Sequence, residues 1–369
     1  MNKNTENNNK TLVFHDTFLY KGGGERLIMM MGKALNSNIA SGFFDENSFD
    51  LRKNNFKGEM IEVSSPIFKS GFRHIKLKLA FYFKTKFLKN YDNIIFSGDC
   101  TIAVRNARKD AKKIYYCHTP PRYLYDQYDR YIKKINPVLK PIYILLAKLF
   151  KYLYEKDLEK FDLILTNSKN TQSRIKKFLG KESEILYPPV DTDEFKYISQ
   201  SDYYLSFARI SEIKRVDRIV EAFKRMPDKK LIVIYGKNDP QKEEVFEIGK
   251  GCKNIKFITL EDNSKLKDYI GNSIATIYIP VDEDFGMSPV ESMACGKPVL
   301  GTDEGGLKES IIHEKTGLLI NPQAKIEDIM EAVKYLSPEK CLEMKKDCIS
   351  RANDFGLAQF EEKLKNYIK

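Results

Sequence analysis

At 369 residues, the chain is long enough for about two domains of ~150 residues each, and 62 Lys+Arg against 51 Asp+Glu give it a net charge of +11. Its six cysteines form no C-x-x-C pair and it has only four histidines, which argues against a zinc module; no run approaches the ~20 apolar residues that span a bilayer. The positive balance suits an anionic partner such as a nucleoside diphosphate, a membrane surface or a nucleic acid. It does not choose among them, and a solvated surface would carry the same charge; no recognised nucleic-acid module appears.

Residues 1–10 are polar and lack an apolar h-region, so they read as a disordered lead-in rather than a signal peptide. Thiols scattered through apparent core positions suggest a reducing, cytoplasmic setting. Thr11 to His15 is the first buried strand. It leads into Gly22-Gly23-Gly24-Glu25 and an apolar helix through Leu27, Met30, Met31, Ala34 and Leu35. Strand, glycine loop and helix form a geometry by which backbone can approach phosphate, although a glycine turn alone is weak evidence. Further strands are expected at Ile39–Phe43, Glu59–Val63, Asn93–Ser97, Lys113–Cys117 and Asp162–Thr166, with helices between several of them. That alternation is the signature of a doubly wound parallel sheet.

Between Pro66 and Asn90 stand seven Lys/Arg and no acid. On a helix, Lys69, Arg73, Lys76 and Lys84 share one face, and Phe72, Ile75, Leu79, Tyr82 and Phe83 fill much of the rest. A basic amphipathic helix suits a membrane surface; the alternative is a helix packed on the sheet with a solvated basic face. His118, in Tyr115-Tyr116-Cys117-His118-Thr119-Pro120-Pro121-Arg122, follows a strand at the end where ligands bind in open parallel sheets. It could equally be a packed or capping histidine. A second amphipathic helix is expected within Pro137–Phe161. Its Ile142, Leu145, Leu146, Leu149 and Leu153 are expected to face the sheet. The stiff turn Tyr187-Pro188-Pro189-Val190-Asp191 suits a linker between domains.

The second half opens with strand Tyr203–Phe207, then Arg209 and Lys214 five residues apart, then a helix through Ile219, Val220, Ala222 and Phe223. Two cations just past a strand suit a diphosphate; surface charge is the plain alternative. Strands follow at Leu231–Tyr235 and Asn254–Ile258, and Ile274–Ile279 is a short β-branched run. After it come Glu283-Asp284-Phe285-Gly286-Met287-Ser288-Pro289-Val290-Glu291 and a strand beginning near Pro298. Ser288 is a good N-cap, Pro289 suits the first helical position and Glu291 then falls at N3. A helix start favours phosphate, and carboxylates beside it can accept hydrogen bonds from hydroxyls, a combination suited to a nucleotide sugar. A simple Ser288-x-x-Glu291 capping box, with Glu283 as a solvated loop acid, explains the same residues. Phe355 to Phe360 opens a last amphipathic helix.

The Glu283 to Glu291 stretch, followed by Ser-Met-Ala-Cys-Gly and Lys297-Pro298-Val299, resembles the Glu-x7-Glu motif of retaining glycosyltransferases of family 4. The resemblance implies an α/β GT-B fold, two Rossmann-like doubly wound parallel-sheet domains facing a central cleft. On that pattern residues 11–190 form an N-terminal acceptor-side domain, 191–354 a nucleotide-sugar domain, and 355–369 a helix returning to the first. It implies that Glu283 and His118 contact the donor sugar and that Glu291 holds the ribose. Arg209 and Lys214 would lie on the diphosphate, while backbone of Gly23, Gly24, Phe285, Gly286, Met287 and Ser288 approaches the donor. Ala208 and Arg215 replace the two glycines of the family's Gly-Arg-x4-Lys-Gly pattern. Thr259-Leu260-Glu261 matches the nucleotide-base seat. The Lys214-Arg215-Val216-Asp217 form is similar to mannosyltransferases of bacterial surface-polysaccharide assembly, including lipopolysaccharide, favouring GDP-mannose over a UDP-sugar. The expected reaction needs no metal and no cofactor beyond the donor. A lipid-linked saccharide is the expected acceptor, at the inner face of the cytoplasmic membrane. Arg73 and Lys76, with Arg122 and Asp126, are expected on the acceptor or membrane side, and nucleic acid is not an expected partner. A sugar-nucleotide epimerase and a non-catalytic binding protein on the same fold are the alternatives.

Overall fold

Short β-branched runs alternating with amphipathic segments fold into two parallel sheets, one per unit. The structure, a computed structural model, describes residues 10–369 except 20, 47, 67–69 and 261–263, with backbone alone at 70–72 and 264. Residues 1–9, Lys69, the Phe72 side chain and Glu261 therefore lie outside what is described. The chain divides into one unit of residues up to Leu186 together with Glu361–Lys369, and a second of Tyr187–Phe360. The division falls just before the Pro188-Pro189 turn, and the last nine residues return to the first unit.

The first unit's strands are β1 (Thr11–His15), β2 (Asn38–Ser41), β3 (Met60–Glu62), β4 (Asn93–Ser97), β5 (Lys112–Cys117), β6 (Leu163–Thr166) and β7 (Glu184–Ile185). Its helices include α1 (Gly23–Ala34), α2 (Ser70–Phe83), α3 (Tyr128–Lys134), α4 (Lys140–Leu158) and α5 (Lys169–Leu179). All pairings are parallel, in the order β3-β2-β1-β4-β5-β6-β7. Leu12, Phe14, Ile94, Phe96 and Tyr115 build the core between sheet and helices.

The second unit's strands are β8 (Tyr203–Ser206), β9 (Lys230–Tyr235), β10 (Ile255–Thr259), β11 (Thr276–Tyr278), β12 (Val299–Thr302) and β13 (Gly317–Ile320). Its helices are α6 (Val216–Lys224), α7 (Lys242–Gly249), α8 (Ser264–Asn272), α9 (Met287–Ala294), α10 (Leu307–Ser310), α11 (Ile326–Tyr335) and α12 (Pro338–Asn353), and α13 (Leu357–Ile368) crosses into the first unit's residues. This sheet is also parallel, in the order β10-β9-β8-β11-β12-β13. Strand order reverses between β1 and β4 in one sheet and between β8 and β11 in the other. Carboxyl ends of strands at such a reversal leave a crevice, because the connecting helices run off to opposite faces.

Two helices pack differently from the sequence expectation. In α2 the buried residues are Leu77, Lys78, Ala80 and Phe81, whereas Leu79, Tyr82 and Phe83 are exposed. Lys78 can be buried because Asp99 accepts from its ammonium at 2.8 Å. Lys84 lies beyond the helix end. The segment Pro137–Phe161 is a short 3-10 turn (Pro137–Leu139) followed by α4, which packs through Ala147, Tyr154, Asp157 and Leu158. Its Ile142, Leu145 and Leu149 face outward. The two stripes share one helical period, so periodicity alone could not decide which is buried.

Phe223 is fully buried in the second unit's core, 5.6 Å from the ring of Tyr204. Phe223→Ala should cost ~3–5 kcal/mol in urea unfolding. A loss below ~1 kcal/mol would contradict this packing.

Candidate functional site

At the β1/β4 reversal the strand ends bring three polar groups together. Register pairs His15 with Ser97, and Ser97 with Tyr116, so His118 follows just beyond the edge of β5. Ser97 Oγ lies 2.8 Å from His118 Nε2 and 3.2 Å from His15 Nδ1, and His15 Nε2 lies 3.3 Å from Asp16 Oδ1. The His118 carbonyl accepts from Asn167 Nδ2 (3.0 Å) and Thr171 Oγ1 (3.3 Å), fixing the turn from behind. A Cβ on Gly24 would sit 3.7 Å from the His118 ring, so the first turn of α1 runs against the imidazole. Gly22 caps that helix, and the N–H groups of Gly23 and Gly24 belong to its unpaired first turn. Burial, then the nearby His15, lowers the His118 pKa to about 3. The imidazole is therefore neutral near pH 7 and can exchange hydrogen bonds without carrying charge.

Beside this network lies a cavity of about 80 Å³ lined by Asp16, Arg73, His74, Lys78 and Asp99, with Leu77 and Phe81. Burial alone would raise the Asp99 carboxyl, but Lys78 (2.8 Å) and His74 (3.5 Å) hold it well below the usual carboxylate range. Tyr123 also donates to Asp99, at 3.0 Å. Arg73 thus lines a pocket, and the neighbouring Lys76 is tied to Ser65 (Nζ–Oγ 2.7 Å). Arg122 and Asp126 pair with each other at 2.7 Å across the turn that precedes α3.

The β8/β11 reversal holds the acid and base of the second unit. Lys214 ends a 3-10 turn (Glu212–Lys214) after β8, and Glu283 lies in the loop after β11. Val281 N donates to Ile213 O at 2.7 Å and stitches the two loops together. Lys214 Nζ donates to Glu283 Oε2 at 2.5 Å and to Tyr278 OH at 2.7 Å, and sits 5.0 Å from the Tyr278 ring centroid. Burial alone would lower the Lys214 pKa; Tyr278 and Glu283 outweigh it and hold the ammonium above its ordinary value. Arg209 is half exposed, its Nε 3.9 Å from Asp239 Oδ1. Asp239 is buried and accepts from Ile210 N (2.7 Å) and Gly236 N (3.0 Å), locking the loops after β8 and β9.

Helix α9 begins two residues earlier than expected. Gly286, not Ser288, is the N-cap, at φ +83°. Its left-handed backbone lets the chain enter the helix at Met287, so Pro289 is the third helical residue and Glu291 the fifth. The Ser288-x-x-Glu291 capping box is accordingly not formed; Ser288 O instead accepts from Ser292 Oγ, which accepts from Thr276 Oγ1 on β11. Glu291 is 3 % exposed. The Phe285 side chain belongs to the core, with its ring 5.4 Å from Tyr187 and 5.3 Å from Phe355, so only its backbone could meet a ligand. Gly305 and Gly306 lie beneath this loop, and a Cβ on Gly305 would come 2.4 Å from Glu283 O.

Sequence reading missed Ser97, Asp99, Tyr278 and Asp239. The first two stand at a strand's carboxyl end, and Tyr278 is the last residue of its strand. That position was the available signal, but which ends meet depends on strand order.

Two parallel Rossmann-like units with these strand orders define the GT-B fold. A sucrose-phosphate synthase from Thermosynechococcus elongatus shares it, with TM-score 0.78 over 97 % of this chain and 98 % of that one at 15 % identity. Residues 191–355 match the family Glycosyl transferases group 1. The alpha-1,3/1,6-mannosyltransferase ALG2 of Dictyostelium discoideum is 25 % identical over 332 residues, 76 % of each chain. The human GDP-Man:Man(3)GlcNAc(2)-PP-Dol alpha-1,2-mannosyltransferase is 24 % identical over 61 % of this chain, which spans 52 % of that relative. Fold and domain match together support a GT-B glycosyltransferase.

Two measurements check the geometry. Because the folded-state His118 pKa is depressed from 6.5 to about 3, the unfolded chain binds more protons between those values. The stability that neutral His118 contributes is complete above pH ~6.5 and is lost as pH falls through the window toward 3. The His118 imidazole NMR shifts should therefore stay flat from pH 8 to 5, and a midpoint near 6.5 would contradict this burial. Gly305→Ala, at φ +61° and against the Glu283 carbonyl, should cost ~1–3 kcal/mol of stability. An unchanged melting temperature would count against the packing described.

Proposed function

We propose that the protein transfers a mannosyl residue from a nucleoside-diphosphate mannose, GDP-mannose favoured, to a lipid-linked saccharide with retention of configuration. The observation that carries this reading is the Lys214–Glu283 pair at the β8/β11 reversal, within three residues of the N-cap of α9. It gathers a cation and helix N–H groups for phosphate, and a carboxylate for sugar hydroxyls, at one place. The relatives named as mannosyltransferases, one of them by its name using GDP-Man, support the choice of sugar and base.

In this reading Arg209, Lys214 and the first turn of α9 hold the departing diphosphate, a role they fill without a metal ion. Glu283 orients the sugar and Glu291 the ribose, and the neutral His118 of the first unit is a further group whose chemistry suits sugar hydroxyls. The bond from the anomeric carbon to the β-phosphate oxygen breaks as the acceptor hydroxyl oxygen bonds to that carbon on the same face. The acceptor's proton passes to the departing phosphate oxygen. Lys214 links the two tasks, because the ammonium assigned to phosphate already holds the carboxylate assigned to the sugar. We place the reaction in surface-polysaccharide assembly at a cytoplasmic membrane face.

Glu283→Gln and Arg209→Ala should each lower kcat by about 10²-fold or more, measured as GDP release with acceptor present. Wild-type rates in both would overturn the site. A thermal-shift panel of GDP-, UDP- and ADP-sugars should show the largest rise with GDP-mannose, and product NMR should show the donor's α configuration.

A further inference from the structure

Ser97 stands between two imidazoles and can give its single hydroxyl proton to only one of them. Its Oγ lies 2.8 Å from His118 Nε2 and 3.2 Å from His15 Nδ1. The residue is fully buried, so solvent does not settle the choice. A neutral imidazole has one donor nitrogen and one acceptor nitrogen. Whichever ring takes the Ser97 proton must offer a lone pair, and the other must offer an N–H. With both rings neutral, the tautomer of one therefore fixes the tautomer of the other.

Asp16 chooses the direction. Its carboxylate accepts from Thr17 N at 2.7 Å and from Asp99 N at 3.0 Å, one on each oxygen. The oxygen that takes Thr17 N lies 3.3 Å from His15 Nε2. A lone pair on Nε2 would be repelled by that oxygen, whereas an N–H is attracted to it. Gly98, at φ +78°, leaves the carboxylate its room, since a Cβ there would come 2.6 Å from Asp16 Cγ. With its proton on Nε2, His15 presents a lone pair at Nδ1 and takes the Ser97 hydroxyl proton. Ser97 Oγ then accepts from His118 Nε2–H, which leaves His118 Nδ1 bare. Among the described residues Ser97 is the one side chain hydrogen-bonded to the His118 ring. Tyr116 meets that ring edge-on, with centroids 5.1 Å apart. Gly24 has no side chain to cover the ring's Cε1, the carbon between its two nitrogens.

We propose that Asp16, acting through His15 and Ser97, is the positioning residue that fixes His118 in its Nε2–H tautomer, so that Nδ1 meets a ligand as a hydrogen-bond acceptor for a sugar hydroxyl. An acceptor at Nδ1 favours a hydroxyl and offers nothing to a ring oxygen, a phosphate oxygen or a fluorine, none of which can donate. The opposite tautomer would reverse that selection. The sugar contact rests on the donor reading above; the tautomer does not.

The chain has four histidines, so long-range proton–nitrogen NMR spectra of the ligand-free full chain can be read ring by ring. His15 and His118 should each carry their proton on Nε2, in about tenfold excess or more. Asp16→Asn removes the charge and keeps the shape, and it should shrink that excess in both rings although residue 16 adjoins only His15. In a Ser97→Ala background the same change should move His15 alone. If Asp16→Asn does not fold, Ser97→Ala decides by itself, since His118 should lose its excess. His118 protonated on Nδ1, His15 protonated on both nitrogens, an Asp16→Asn effect confined to His15, or a His118 tautomer unmoved by Ser97→Ala would overturn the relay. For the sugar contact, one of the mono-deoxyfluoro analogues of GDP-mannose should bind the wild type about tenfold more weakly than the parent in calorimetry. His118→Ala should erase that one penalty. A panel without a penalty, or a penalty that survives His118→Ala, would overturn the acceptor role. No binding of GDP-mannose itself would overturn the donor assignment, while the spectra still decide the relay.

Discussion

Everything chemical in this protein hangs on a topological constraint: a parallel strand cannot be followed by its neighbour without a crossover, and the direction of crossovers reverses once in each sheet. The reversals at β1/β4 and β8/β11 are where connecting chain leaves the strand ends uncovered. Each reversal collects polar side chains that would otherwise have no reason to meet. His15, Ser97 and His118 come from three strand ends far apart in sequence, as do Lys214 and Glu283 from two loops. Neither group is stabilised by its own loop alone. Asp239 in one case and the Asn167 and Thr171 side chains in another pin the backbone from neighbouring elements.

The Lys214–Glu283 contact also sets an energetic condition. Each side chain is about a fifth exposed or less, and a charge so placed is costly without its partner. Removing either one leaves the other poorly satisfied, which is why a conservative amide at Glu283 is more informative than a truncation. Tyr278 supplies a second acceptor to the ammonium, so the cation remains hydrogen-bonded if the carboxylate turns toward a ligand.

Much of the architecture was legible in the residues. Asn93–Ser97 and Thr11–His15 coincide with their strands, because each run is short, apolar and bounded by turn residues. The helix start after β11 was displaced because Ser288 and Pro289 form a good local signal that a more permissive Gly286 overrides. Helix faces were harder. In α4 both stripes are apolar, and only tertiary packing says that Ala147 and Tyr154, rather than Leu145 and Leu149, lie inside. In α2 a lysine occupies a buried position because Asp99, 21 residues on, awaits it; no window on the sequence contains that fact. The acid–base pair of the second unit was readable as a set of residues, whereas the direct bond between its members was not.

Tyr187 stands where the chain enters the second unit and Phe355 just before it leaves, and both rings press on Phe285. The chain thus cannot pass into or out of that unit without touching the side chain two positions after Glu283. The two connections are also tied to each other, Val190 N donating to Phe355 O at 2.9 Å. The segments that carry the chain into and out of this unit therefore share one aromatic joint with the loop of Glu283.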